Sequence, residues 1–177
     1  MKAKLFSVVA IPALVMASAS AFAAVEGETS TIQFTGAIKE NTCTLDQGSL
    51  NQKINLNTVE TSVFQGGQGA ASQPTNFTIA LKDCAKSSAS VFFSGDHVEG
   101  NAEALKVTGG AKGVGIQILE GATVLKVDGS APSSPKEVDV DKAAEWSFGA
   151  RYVALGSASA IEAGEANATA QFTVNYE

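Results

Sequence analysis

From residue 166 onward apolar and polar residues alternate without a slip. Ala166, Ala168, Ala170, Phe172, Val174 and Tyr176 fall on one side, and Asn167, Thr169, Gln171, Thr173 and Asn175 on the other. A period of two is that of a β-strand with one buried face. This face grows from small to bulky, and no turn or returning strand follows it. Burying Phe172, Val174 and Tyr176 stabilises by roughly 1.5–3 kcal/mol each. An uncovered row of backbone N–H and C=O groups beside them is a template for another chain.

A second alternation lies near the other end, where Ile32, Phe34 and Ile38 share a face with Gly36 between them. Between these two stretches the strand signals are short and frequent: residues 42–45, 54–59, 76–81, 90–94, 115–120 and 123–127, with a hairpin connection at Glu120-Gly121-Ala122 and a weaker edge strand at 137–140. A longer strand sets Trp146, Phe148, Ala150, Tyr152 and Ala154 against Ser147, Gly149, Arg151 and Val153. Turn-rich segments at 65–73 and 128–135 separate strands. No window of a dozen residues has helical spacing with caps; residues 102–106 make one helical turn at most. Many short strands without alternating helices predict an all-β, antiparallel, immunoglobulin-like sandwich with no internal repeat.

The chain opens with Lys2 and Lys4, an apolar run from Leu5 to Met16, and small residues ending Ala21-Phe22-Ala23. Those are the parts of a secretory signal peptide cleaved after Ala23. The run is shorter than the roughly 18 residues of a membrane span, and Pro12 interrupts it. Removing 23 of the 177 residues leaves 154, enough for one domain with a core. Ten basic residues then face eighteen acidic ones, a net charge of −8, which argues against nucleic acid and anionic membrane surfaces as partners. Cys43 and Cys84 are the only cysteines, and two thiols in an oxidising compartment pair. Closing a loop of about 40 residues stabilises by about 4 kcal/mol on the chain-entropy account.

Catalytic and ligand chemistry finds little support. The single histidine, His97, sits in Gly95-Asp96-His97-Val98-Glu99-Gly100, where glycines and charges read as a solvated loop. Asp96, Glu99 and Asn101 lack the ligand series of an EF-hand. Gln65-Gly66-Gly67-Gln68-Gly69 has neither the lysine nor the helix of a phosphate loop. Asp139, Asp141 and Glu145 alternate with Val138 and Val140, as on a solvated strand face. Asn76-Phe77-Thr78 and Asn167-Ala168-Thr169 match the glycosylation pattern, but both fall inside expected strands. Trp146 and Tyr152 could stack on a sugar, though their shared face reads as core. No enzyme activity, cofactor or metal is expected.

Four features coincide: the signal peptide, an apolar strand at the start of the mature chain, one cysteine pair, and an ending aromatic-x-Val-x-Tyr-x. Together they resemble the fimbrial subunits assembled by the bacterial chaperone–usher pathway, of the type 1 pilin kind. The resemblance spans the whole mature chain. Its most specific pieces are Gly164, fourteenth from the end, and the penultimate Tyr176, with Thr42-Cys43 following Gly36-Ala37-Ile38-Lys39.

The resemblance implies an incomplete immunoglobulin-like sandwich whose missing strand comes from a neighbouring subunit, by addition of an extended strand to an exposed sheet edge in a head-to-tail, non-closing contact. It divides the chain into a signal peptide (1–23), a donor-strand extension (24–40) and a pilin domain (41–177). Gly164, Phe172, Val174 and Tyr176 would form the acceptor groove and meet a periplasmic chaperone. Ile32, Phe34, Gly36 and Ile38 would be the donor face, Gly36 lying where the groove is shallow. Ser30 is polar although in phase, and Glu26 and Glu28 place the start of the inserted part after them. Ile38 is five residues from Cys43, which leaves the leading strand little slack to fold back on its own domain. The implied partners are identical or related pilin subunits, the chaperone and an outer-membrane usher, and the destination is a surface fimbrium supporting cell adhesion. A major shaft subunit fits the 154 residues, with a minor tip or adaptor pilin as the alternative. From another class, the rival is a secreted monomeric carbohydrate-binding sandwich.

Overall fold

The structure, a computed structural model, describes residues 31–36, 43–84, 87–138 and 144–176. The chain divides into two compact units, Met1–Ile38 and Lys39–Glu177. In the first, residues 31–36 form neither helix nor strand, and Ile32 and Phe34 are 76% and 90% exposed.

The second unit is a sandwich of two sheets. In chain order its strands are β1 (Thr44–Leu45), β2 (Thr75–Lys82), β3 (Ser87–Gly95), β4 (His97–Val98), β5 (Asn101–Lys106), β6 (Val114–Glu120), β7 (Thr123–Val124), β8 (Asp128–Pro132), β9 (Lys136–Val138), β10 (Ala144–Ala154) and β11 (Ala170–Tyr176). The larger sheet runs β1-β2-β10-β6-β5-β4, with β7 on β6; the smaller runs β11-β3-β8, with β9 on β3. Every ladder is antiparallel.

Inward-facing alternation builds the core. Trp146 of β10 lies opposite Ile79 of β2, and both pack with Ala89, Val91 and Phe93 of β3. Phe77, Phe93 and Phe148 meet edge-on or tilted, Phe93 and Phe148 at 5.0 Å and 89°, the geometry aromatic quadrupoles favour. The indole N–H of fully buried Trp146 donates to the Ser134 carbonyl at 3.2 Å, so its burial leaves the indole paired. A smaller core gathers Phe64, Val114 and Ala154. The Cys43–Cys84 disulfide joins the residue before β1 to the segment after β2.

Four local expectations need correction. Residues 54–59 form no strand, although Ile54 and Leu56 are half-buried between exposed neighbours; alternation specifies a face but cannot supply a ladder partner. The turn expected at 128–135 contains β8, an edge strand where Pro132 costs no ladder bond that a central strand would need. The single helical turn imagined at 102–106 is β5, because pairing of Leu105 with both His97 and Ile116 outweighs the helix propensity of Ala, Glu and Lys. Asn167 lies outside the regular strands, in an isolated bridge to Thr108.

Candidate functional site

Strand β11 is the edge of the smaller sheet and pairs only with β3, Phe172 opposite Phe93 and Val174 opposite Val91. Phe172, Val174 and Tyr176 pack against the main core yet stay half-buried, while Gln171, Thr173 and Asn175 face solvent. The direction of the backbone groups follows from the neighbour. Val91 exchanges bonds with Ser133, on the side of β3 away from β11. Alternation then turns Phe92 toward Thr173, and so turns the N–H and C=O of Phe172 and Val174 outward, to the open edge. No other backbone group among the described residues reaches them.

A second stretch is unpaired in the same way. Residues 51–59 exchange no backbone–backbone bonds among the described residues, although Leu56 packs on the same core as β11. Two apolar segments therefore border one core, β11 with one open edge and residues 51–59 with no ladder on either side. Sequence alone marked both through their alternation and pointed to the open edge of β11; what it could not show was that residues 51–59 have no ladder.

One tyrosine fastens the C-terminal end of β11 and another the segment that leads into it. The Tyr176 hydroxyl donates to the Cys43 carbonyl at 3.5 Å, and the Tyr152 hydroxyl donates to the Ala166 carbonyl at 3.0 Å. Burial pushes both phenols above their usual value, with the Glu165 carboxylate adding to the rise at Tyr152. Tyr176→Phe should lower stability by no more than about 1 kcal/mol, since one long hydrogen bond is lost and the packing kept; thermal unfolding measures it.

Gly164 works elsewhere. Residues 162–167 form a clasp with 108–112: Thr108 and Asn167 exchange bonds of 2.7 and 2.9 Å, and Lys112 and Glu162 bonds of 3.1 and 3.2 Å. The Lys112 ammonium also meets the Glu162 carboxylate at 2.8 Å. Where the two segments cross, a Cβ on Gly164 would lie 2.5 Å from the Ala111 nitrogen. The clasp was not legible beforehand; its only trace is glycine at positions 109, 110, 113 and 164.

Of the expected donor residues, Ile32, Phe34 and Gly36 are described and Ile38 lies outside the described residues, as do residues 1–23, Glu26, Glu28 and Ser30. His97 is exposed, its Nδ1 3.3 Å from the Gly95 carbonyl. Asp139 and Asp141 lie outside the described residues. Trp146, wholly inside the core, offers no surface to a sugar. Among the described residues no three metal-ligating side chains gather.

A family model described as fimbrial protein matches residues 32–177. The chain is 35% identical, over 189 residues spanning all of both chains, to the type-1 fimbrial protein A chain of Escherichia coli K12. The chain belongs to the fimbrial protein family. It is 34% identical over 178 residues to a probable major fimbrial subunit, LpfA, of Escherichia coli O157:H7, with 96% of each chain covered. Among solved structures, the P pilus rod subunit PapA superposes with a TM-score of 0.66 at 21% identity, covering 76% of this chain and 99% of that one. The fold is thus the β-sandwich of pilus subunits, and this fimbrial chain is a non-enzymatic structural subunit of a surface pilus.

Proposed function

We propose that this fimbrial subunit is the major shaft component of its pilus, assembled by donor-strand exchange through a periplasmic chaperone and an outer-membrane usher. The observation that carries the reading is the edge strand β11, whose apolar side chains are half-buried and whose Phe172 and Val174 backbone groups face outward. A strand laid between β11 and residues 51–59 would bury that face and give both orphan backbones a ladder. Ile32 and Phe34, 76% and 90% exposed, supply a strand of matching alternation, completed by Gly36 and Ile38. Signal-directed export after Ala23 delivers the chain to the periplasm, where the chaperone lends a strand first and a neighbouring subunit replaces it.

The test uses the chain lacking residues 24–39, refolded with and without a peptide spanning residues 28–40. Peptide at a hundredfold its dissociation constant should stabilise by about 2.7 kcal/mol, a rise in Tm of roughly 10 °C for a domain of this size. A cooperative transition at the same temperature in both samples would mean a closed sandwich and sink the proposal.

A further inference from the structure

Strand donation as proposed above constrains where the donor's own domain sits. Ile38, the last donor residue in phase, is five residues from Cys43, and five residues reach at most about 18 Å. The neighbour's domain, which begins at its Cys43–Cys84 disulfide, is held within that reach of the groove end at which Ile38 emerges.

The Tyr176–Cys43 contact decides which end that is. Each domain's own extension joins it at Cys43, beside the C-terminal end of β11. A bound donor emerging there would crowd the acceptor's own extension, which is committed to a further neighbour. Emergence at the other end, beside Ala170 and Gly95, allows an unbranched head-to-tail fibre. It also makes the added strand antiparallel to β11, like every ladder in both sheets.

At that end lies a cleft of about 530 Å3 that strand donation leaves unused. Asp96, next to the Gly95 that pairs with Ala170, begins its lining. Val107, Val114 and Leu155 are among its apolar lining, and Glu99, Lys106 and Lys112, the last paired with Glu162, join Asp96 as its charged lining. We propose that this cleft seats the next copy of the chain, through the surface around that copy's disulfide. The surface carries the Lys82–Asp46 pair at 3.7 Å and the exposed Asp83 beside it. Both partners present both signs of charge, so Lys106 can face Asp83 or Asp46 while Asp96 and Glu99 face Lys82. Such complementarity selects orientation and speeds encounter.

Fibres assembled by cells from the full chain, treated with a zero-length carbodiimide cross-linker and digested, should yield amides joining Lys82 to Asp96 or Glu99, or Lys106 to Asp83 or Asp46. The seven residues of β11 separate the two sets by about 23 Å, so such a link cannot form within one copy. Lys106→Glu should slow assembly about fivefold at low salt and leave stabilisation by the 28–40 peptide unchanged, because the peptide carries no domain. Fibres in which no link joins the two sets, or a Lys106→Glu chain assembling at the normal rate, overturn the seat and leave strand donation standing. A wild-type domain that the peptide fails to stabilise overturns both.

Discussion

Phe34→Asp should abolish the fibre and leave the subunit's fold untouched. The side chain is 90% exposed, and surface substitutions away from special features change stability by no more than about 0.5 kcal/mol. Inserted beside β11, the same residue would have to bury a carboxylate against Phe172, Val174 and Tyr176 with no cation to pair it, a cost of several kcal/mol. Each contact of the polymer would weaken by at least about a hundredfold, since 1.4 kcal/mol is a factor of ten. Because the defect recurs at every junction, long fibres vanish rather than shorten slightly. The measurement is paired: electron microscopy of surface fibres, and the periplasmic level and Tm of the variant subunit. Normal fibres would remove Phe34 from the donor face. Lost subunit together with lost fibres would mean that Phe34 serves folding instead.

The asymmetry between those outcomes reflects how the chain encodes two kinds of information. Period-two alternation is local, so the faces of β10 and β11 could be read directly: Trp146 and Phe148 are core and Gln171 and Thr173 are solvent-facing. Pairing is not local. Ile54 and Leu56 alternate as convincingly as a strand should, yet residues 51–59 have no ladder, and only the three-dimensional arrangement shows it. Turn-forming residues mislead where an edge tolerates them, as Gly129 and Pro132 do in β8. Cysteine pairing was legible because only one partition of two thiols exists. The clasp of 108–112 on 162–167 was not, because its bonds run between backbones and leave almost no side-chain signature.

Those glycines yield the second large effect. Gly164→Ala should cost about 3 kcal/mol or more, at the upper end of what overpacking costs, since the added Cβ would lie 2.5 Å from the Ala111 nitrogen and 2.9 Å from the Gly110 Cα. Backbone cannot yield as a side-chain tip can, so the two segments must part. With them go the Thr108–Asn167 exchange and the anchoring of Ala166 by the Tyr152 hydroxyl, both of which fix the approach to β11. Low periplasmic yield and a Tm depressed by roughly 11 °C are the expected readings. Gly36→Ala provides the contrast, because a Cβ there meets nothing within 4 Å. It should leave subunit yield and Tm unchanged and reduce fibre formation, if Gly36 enters a groove too shallow for a side chain. A Gly164→Ala subunit with normal Tm would deny the clasp its role, and a Gly36→Ala chain making normal fibres would move that glycine off the inserted face. Opposite phenotypes from the same one-carbon change would separate the glycine that lets the domain close from the glycine that lets the next copy enter.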